Sequence, residues 1–119
     1  MNAILILAHG SRATETEKTL DAVVEMVRKM LPDTIIEAAY MEFGRVNITV
    51  GLDNLIERGA EEIKVIPYFL FDGMHIRQDI PDELGAYMAA HSGVKVTLGR
   101  TLGADIRLAE ILRDRILTA

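Results

Sequence analysis

The chain has 119 residues, a length that predicts one domain over residues 1–119 with a core of its own. Half of the residues are hydrophobic and 26% are charged, which excludes a disordered tail or a low-complexity linker. Lys and Arg number 13 against 18 Asp and Glu, a net charge of −5 that argues against a nucleic-acid binder, and the absence of cysteine excludes disulfides, iron–sulfur clusters and thiolate zinc sites.

Along the chain, Ala3–Leu7 is an unbroken apolar run, the pattern of a strand covered on both faces. Leu20, Val23, Val24, Val27 and Met30 repeat at three and four and predict a helix stopped at Pro32, with Thr14 and Glu17 at capping-box spacing near its start. Ile35–Tyr40 reads as a second strand. Ile48, Leu52, Leu55 and Ile56 give a second helical stripe, ended by Gly59. Ile63–Pro67 is a third strand, followed by a loop from Tyr68 to His75. Ile80, Leu84, Tyr87 and Met88 predict a third helix with Pro81 in its first turn. Val94–Leu98 is a fourth strand, and Leu108, Ile111, Leu112 and Ile116 mark a closing helix.

Strands alternating with helices predict an α/β fold of three layers: a four-stranded, mostly parallel sheet with helices on both faces. No run approaches the roughly 20 apolar residues of a membrane span; the longest uncharged ones are Ala3–Ala8 and Val65–Phe71. No Lys or Arg precedes Arg12, so a basic secretory leader is not expected and the cytoplasm is the expected location. Neither nucleic acid nor membrane is an expected partner.

Ligands of such sheets bind beyond the carboxyl ends of the strands, which directs attention to the first three strand ends. After the first strand come His9-Gly10-Ser11-Arg12. Gly10 permits a tight turn, and Ser11 and Arg12 open a helix whose free N–H groups attract anions. Taken alone, His9 reads as a loop histidine beside a helix-capping serine. After the second strand stands Glu42, which alone reads as a solvated loop carboxylate. After the third, the apolar residues continue through Leu70 and Phe71 to the turn Asp72-Gly73, then Met74 and His75. This loop holds three of the chain's six aromatic residues, and it reads either as a core loop or as an apolar wall for a flat ligand. His91 belongs to the C-terminus of the third helix, where a histidine complements the dipole, and is placed outside the site.

Two imidazoles and a carboxylate at one strand-end cleft form an open site for a borderline divalent metal, and imidazole also takes a proton near neutral pH. Metal insertion into a tetrapyrrole has these needs. A base removes the pyrrole protons, a loose ligand set releases the metal, an apolar wall supports the ring, and N–H groups and arginines meet its carboxylates. His9 and His75 suit the roles of base and metal ligand, with no spacing to say which is which. Ser11, Arg12, Arg45 and Arg77 suit the carboxylates, although each arginine alone reads as surface charge.

The segments LAHGSR (Leu7–Arg12), MEF (Met41–Phe43), GAEEIKVIPYFLFDGMHIRQDIP (Gly59–Pro81) and TLGADIRLAEILRDRI (Thr101–Ile116) together resemble the short form of the class II chelatases. This is the sirohydrochlorin cobaltochelatase family, which also has nickel- and iron-inserting members. The resemblance spans essentially the whole chain and implies a flavodoxin-like chelatase lobe. It implies insertion of a divalent metal, cobalt first, into sirohydrochlorin, in cobalamin or related tetrapyrrole biosynthesis. His9 would be proton acceptor and metal ligand, and His75 the second ligand. Leu70, Phe71, Asp72, Gly73, Met74 and His75 would contact the tetrapyrrole, with Arg45 also at the substrate. Glu42 matches an acidic cleft position. The metal is a substrate, and no organic cofactor is expected. Val46-Asn47 stands where family members often carry proline, and there is no His-rich insert before the last strand.

Larger chelatases of this class resemble two such lobes around a cleft, so one lobe offers half a cleft. A two-fold homodimer would supply the other wall. Two other readings stand beside this one. A sugar-phosphotransferase type of phosphocarrier would phosphorylate His9 and give His75 no role. A non-catalytic metal- or tetrapyrrole-binding protein would bind the ring without accelerating insertion.

Overall fold

A computed structural model describes residues 2–73 and 78–118. The elements run β1 (Asn2–Ala8), α1 (Thr14–Met30), β2 (Ile35–Tyr40), α2 (Ile48–Glu57), β3 (Glu62–Pro67), α3 (Ile80–Ala90), β4 (Lys95–Leu98) and α4 (Ile106–Leu117). The four strands form one parallel sheet in the order β2-β1-β3-β4, which is the alternating architecture that the sequence predicts.

β1 explains the unbroken apolar run. It is paired on both edges, with Leu5 opposite Glu37 on one side and Val65 on the other. Successive side chains point to opposite faces. Ala3, Leu5 and Leu7 enter the core under α2 and α3, together with Leu52, Leu55, Ile63, Val65, Leu84 and Val96. Ile6 and Ala8 enter a smaller core under α1, with Leu20, Val24, Ile36 and Tyr40. Both faces of the strand are therefore dry, and both must be apolar.

The helix ends are set by local chemistry. Asn47 caps α2 by accepting a hydrogen bond from the Val50 N–H at 2.9 Å. Gly59, at φ +95°, ends α2 in the left-handed conformation that its position predicts. Pro81 lies in the first turn of α3. The start of α1 departs from expectation. Its N-cap is Ala13, which has no side-chain oxygen. Ser11 Oγ instead accepts from the Ala13 N–H at 3.0 Å and shares a 2.8 Å hydrogen bond with the Thr16 hydroxyl. Glu17 does not close a capping box. Its carboxylate accepts from the Arg45 N–H at 3.2 Å and so ties α1 to the loop after β2.

α2 and α3 are joined by the Tyr87 hydroxyl, which donates to the Asp53 carboxylate at 2.5 Å. Burial and that carboxylate push the Tyr87 phenol above its ordinary value. His91 caps the C-terminus of α3 as expected. Its Nδ1 lies 2.9 Å from the Tyr87 carbonyl, and its ring stacks on Tyr87 with centroids 4.0 Å apart. α4 is the helix that the Leu108–Ile116 stripe predicts, yet none of its residues is buried.

Gly51 sets the approach of α2 to the sheet. A Cβ built there would lie 2.8 Å from Leu5 Cδ1 and 3.2 Å from Ala39 Cβ, both within the buried core. Gly51→Ala is expected to destabilise the fold by about 1–3 kcal/mol through overpacking, despite the better helix propensity of alanine. Urea unfolding, read as a lower midpoint at unchanged slope, checks this.

Candidate functional site

β1 lies between β2 and β3, so the hydrogen bonds at its carboxyl end part company. The Leu7 carbonyl accepts from the Tyr68 N–H at 2.7 Å, beyond β3. The Ala8 and His9 carbonyls accept from Met41 and Glu42, each at 2.9 Å, beyond β2. The chains leaving β2 and β3 separate here, which is the topological switch point of the sheet. His9 is the first residue past β1 at this point.

The imidazole of His9 is exposed, with Nδ1 3.2 Å from the Gly10 carbonyl. It stands edge-on to the Phe69 ring, with centroids 6.4 Å apart and planes at 89°. Ser11 and Arg12 lie exposed in the turn into α1. Glu42 and Arg45 lie exposed in the loop after β2. Leu70, Phe71, Asp72 and Gly73 lie exposed in the loop after β3, with Phe71 at 75% exposure. The predicted residues thus occupy the carboxyl edge of the sheet. Met74 and His75, and with them Arg77, lie outside the described residues. Among the described residues, no three His, Asp or Glu side chains form a metal-binding group. The described side chains at this edge that could ligate a metal are the His9 imidazole and the carboxylates of Glu42 and Asp72, the last of which accepts from the Thr101 hydroxyl.

Two features of the site were not singled out from the sequence. Phe43 has φ +61°, rare for a bulky residue, and the Gly44 N–H donates to the Glu42 carbonyl at 2.8 Å to close a γ-turn around it. A residue held this way costs on the order of 1–3 kcal/mol, and such strain clusters at functional sites. The Phe43 ring is exposed and carries the Arg12 guanidinium 4.9 Å from its centroid, a cation–π contact. The second feature is a backing for the apolar loop. Leu102 and Gly103 donate their N–H groups to the Phe69 and Leu70 carbonyls at 2.8 and 3.0 Å, and the Thr101 hydroxyl donates to Asp72 at 2.8 Å. The available signals were an exposed aromatic after a strand and a glycine at 103; neither specifies a partner.

Gly10 makes the His9 turn possible. It has φ +92°, and a Cβ there would lie 1.9 Å from the Glu42 carbonyl oxygen. Gly10→Ala is expected to cost more than about 2 kcal/mol through strain and the displaced Glu42 backbone. Gly85, in the exposed part of α3 with open space around it, provides the contrast. Gly85→Ala is expected to stabilise by about 0.5–1 kcal/mol. Parallel denaturant titrations of the two variants check the opposite signs.

Comparison with known proteins fits this arrangement. The CbiX family model matches residues 3–119. A sirohydrochlorin ferrochelatase of Priestia megaterium is 34% identical over 98% of this chain, which spans 44% of that relative. A sirohydrochlorin cobaltochelatase of Sulfurisphaera tokodaii is 30% identical over 98% of this chain and 92% of its own length. A solved CbiX protein of Marinobacter aquaeolei superposes with a TM-score of 0.81 at 28% identity, covering 98% of this chain and 92% of that one. The chain therefore spans about half the length of some curated relatives and nearly all of others. A match over almost every residue, with the same parallel sheet beneath it, means that the chain belongs to the CbiX family.

Proposed function

We propose that the chain inserts a divalent metal, cobalt first, into sirohydrochlorin. The observation that carries this reading is the place of His9, at the switch point of the sheet and beside an exposed aromatic loop, in a chain matched by the CbiX family along almost its whole length. Sirohydrochlorin appears in the names of both the ferrochelatase and the cobaltochelatase relatives. The macrocycle is common to those names and the metal is not, so the choice of cobalt rests on the near full-length match to a cobaltochelatase. The same matches favour metal insertion over the phosphocarrier reading.

In the proposed reaction, the aqueous metal ion and the free-base macrocycle become the metallated macrocycle and two protons. Neutral imidazole serves both halves, because it ligates such metals and accepts a proton near neutral pH. His9 is the proton acceptor and a ligand, His75 the second ligand, and Glu42 a carboxylate that holds positive charge at the rim. Leu70, Phe71 and Met74 give the ring an apolar support, with Asp72 and Gly73 shaping the turn. Ser11, Arg12 and Arg45 meet the peripheral carboxylates, with charge-assisted hydrogen bonds as the source of orientation. One lobe supplies one wall, and a second copy of the chain supplies the other. The absence of cysteine suits a reducing cytoplasm but does not require one. No helix among the described residues is long and apolar enough to cross a membrane.

The test is an anaerobic assay of the absorption change of sirohydrochlorin with cobalt, nickel or ferrous iron. Rates above the uncatalysed background are expected, fastest with cobalt. His9→Ala is expected to lower the rate about 100-fold or more, the scale of a lost general base. His75→Ala is expected to lower metal insertion as well. An undiminished rate in His9→Ala overturns the assignment of the base. Binding of the ring with no acceleration by the native chain overturns the enzyme reading.

A further inference from the structure

We infer that Phe43 is a positioning residue of the site: its ring holds the Arg12 guanidinium in the plane from which it takes a peripheral carboxylate of the macrocycle. This rests on the function proposed above and adds what selects a carboxylated macrocycle at the rim beside His9. The fold alone does not account for Phe43. Its φ of +61° lies in a region that a bulky side chain enters at a cost. Burial does not repay that cost, because the side chain is 59% exposed. The contact with Arg12 returns less than the backbone conformation takes, since a cation–π pair at an exposed site is weak. Glycine at this position would adopt the same φ without strain.

The turn that carries Phe43 is tightly held. The Tyr40 N–H donates to the Val46 carbonyl at 2.8 Å and closes the loop between them. Inside that loop, Gly44 lies so near the Tyr40 ring that no Cβ fits there. The Glu42 peptide then joins this turn to that of His9. Its N–H donates to the His9 carbonyl, and its own carbonyl accepts from the Gly44 N–H. That same carbonyl oxygen lies where a Cβ on Gly10 would stand. Backbone contacts on both sides therefore fix Phe43 relative to His9, and an aromatic ring so fixed can set the direction of a neighbour.

Arg12 is a neighbour with unused capacity. Its guanidinium lies 4.9 Å from the Phe43 centroid. Among the described residues it has no hydrogen-bond or ion-pair partner, although the chain carries 18 acidic residues. Arg28, Arg58, Arg107 and Arg115 each pair with a carboxylate. A guanidinium laid on an aromatic face keeps its N–H fork free at the edge of its plane, and the fork fits a carboxylate with two parallel hydrogen bonds. The chemistry of the ligand follows: a flat body with ionised carboxylates at its margin.

The test reads binding of metal-free sirohydrochlorin, followed by its absorption, apart from metal insertion. Phe43→Gly is expected to raise the Kd about 3- to 10-fold, with the loss in insertion falling on KM for the macrocycle more than on kcat. The same variant is expected to unfold at a urea midpoint no lower than that of the native chain, because the backbone strain is released. Phe43→Tyr keeps the aromatic ring and is expected to restore native binding. Arg12→Ala is expected to weaken binding at least as much as Phe43→Gly, and the double variant no more than Arg12→Ala alone. On a macrocycle whose carboxylates are converted to amides, Phe43→Gly is expected to bind no worse than the native chain. Native binding by Phe43→Gly, additive losses in the double variant, or an equal loss on the amide overturns the inference. A lower urea midpoint for Phe43→Gly also overturns it, because Phe43 then serves the fold. The expected binding losses in a chain whose native form inserts no metal overturn the enzyme reading and leave this inference standing. A native chain that binds no macrocycle overturns both.

Discussion

The central position of β1 is the constraint from which the rest follows. It is held by parallel partners on both edges and by helices on both faces, so it has no freedom to bend toward either neighbour. Its last carbonyls must then serve two diverging chains, Tyr68 on one side and Met41 and Glu42 on the other. Beside this end a shallow hollow opens between His9, Tyr68 and the first turns of α1. The residues around it are exposed as a result of pairing that has run out. A dry, doubly paired strand thus ends in a wet edge that carries the candidate site.

Much of this order can be read in one dimension. The run AILIL announces a strand with two dry faces, since no alternation of polar residues marks a wet side. Gly59 and Pro81 stop and start helices by restrictions that act within a residue or two. The candidate site positions are legible for the same reason: His9, Glu42 and Leu70 lie one to three residues past their strands, and in a parallel sheet all strands end at one edge. Periodicity does not supply the strand order, which depends on the side to which each crossover turns.

Features that need a distant partner escape a local reading. Thr14 and Glu17 have capping-box spacing, but the Glu17 carboxylate bonds to Arg45, 28 residues away, and Ser11 takes over the helix start. Phe43 carries no local mark of a left-handed backbone. Its conformation is imposed by the γ-turn and by the close packing around it, where a Cβ on Gly44 would meet the Tyr40 ring at 2.4 Å. The stripe on α4 states that a face is to be covered without stating by what. His75 shows another limit: its motif is clear in the sequence, while its place in space lies outside the described residues.

The left-handed turn at Phe43 bears on the energetics of anything that settles at this rim. Its backbone cost falls due when the chain folds, and its ring already stacks under Arg12 before a guest arrives. A guest docking there would find the backbone turn already formed and would not meet its cost again. The proposed ring site would accordingly select at this rim by shape and by shed hydration more than by remoulding of the turn.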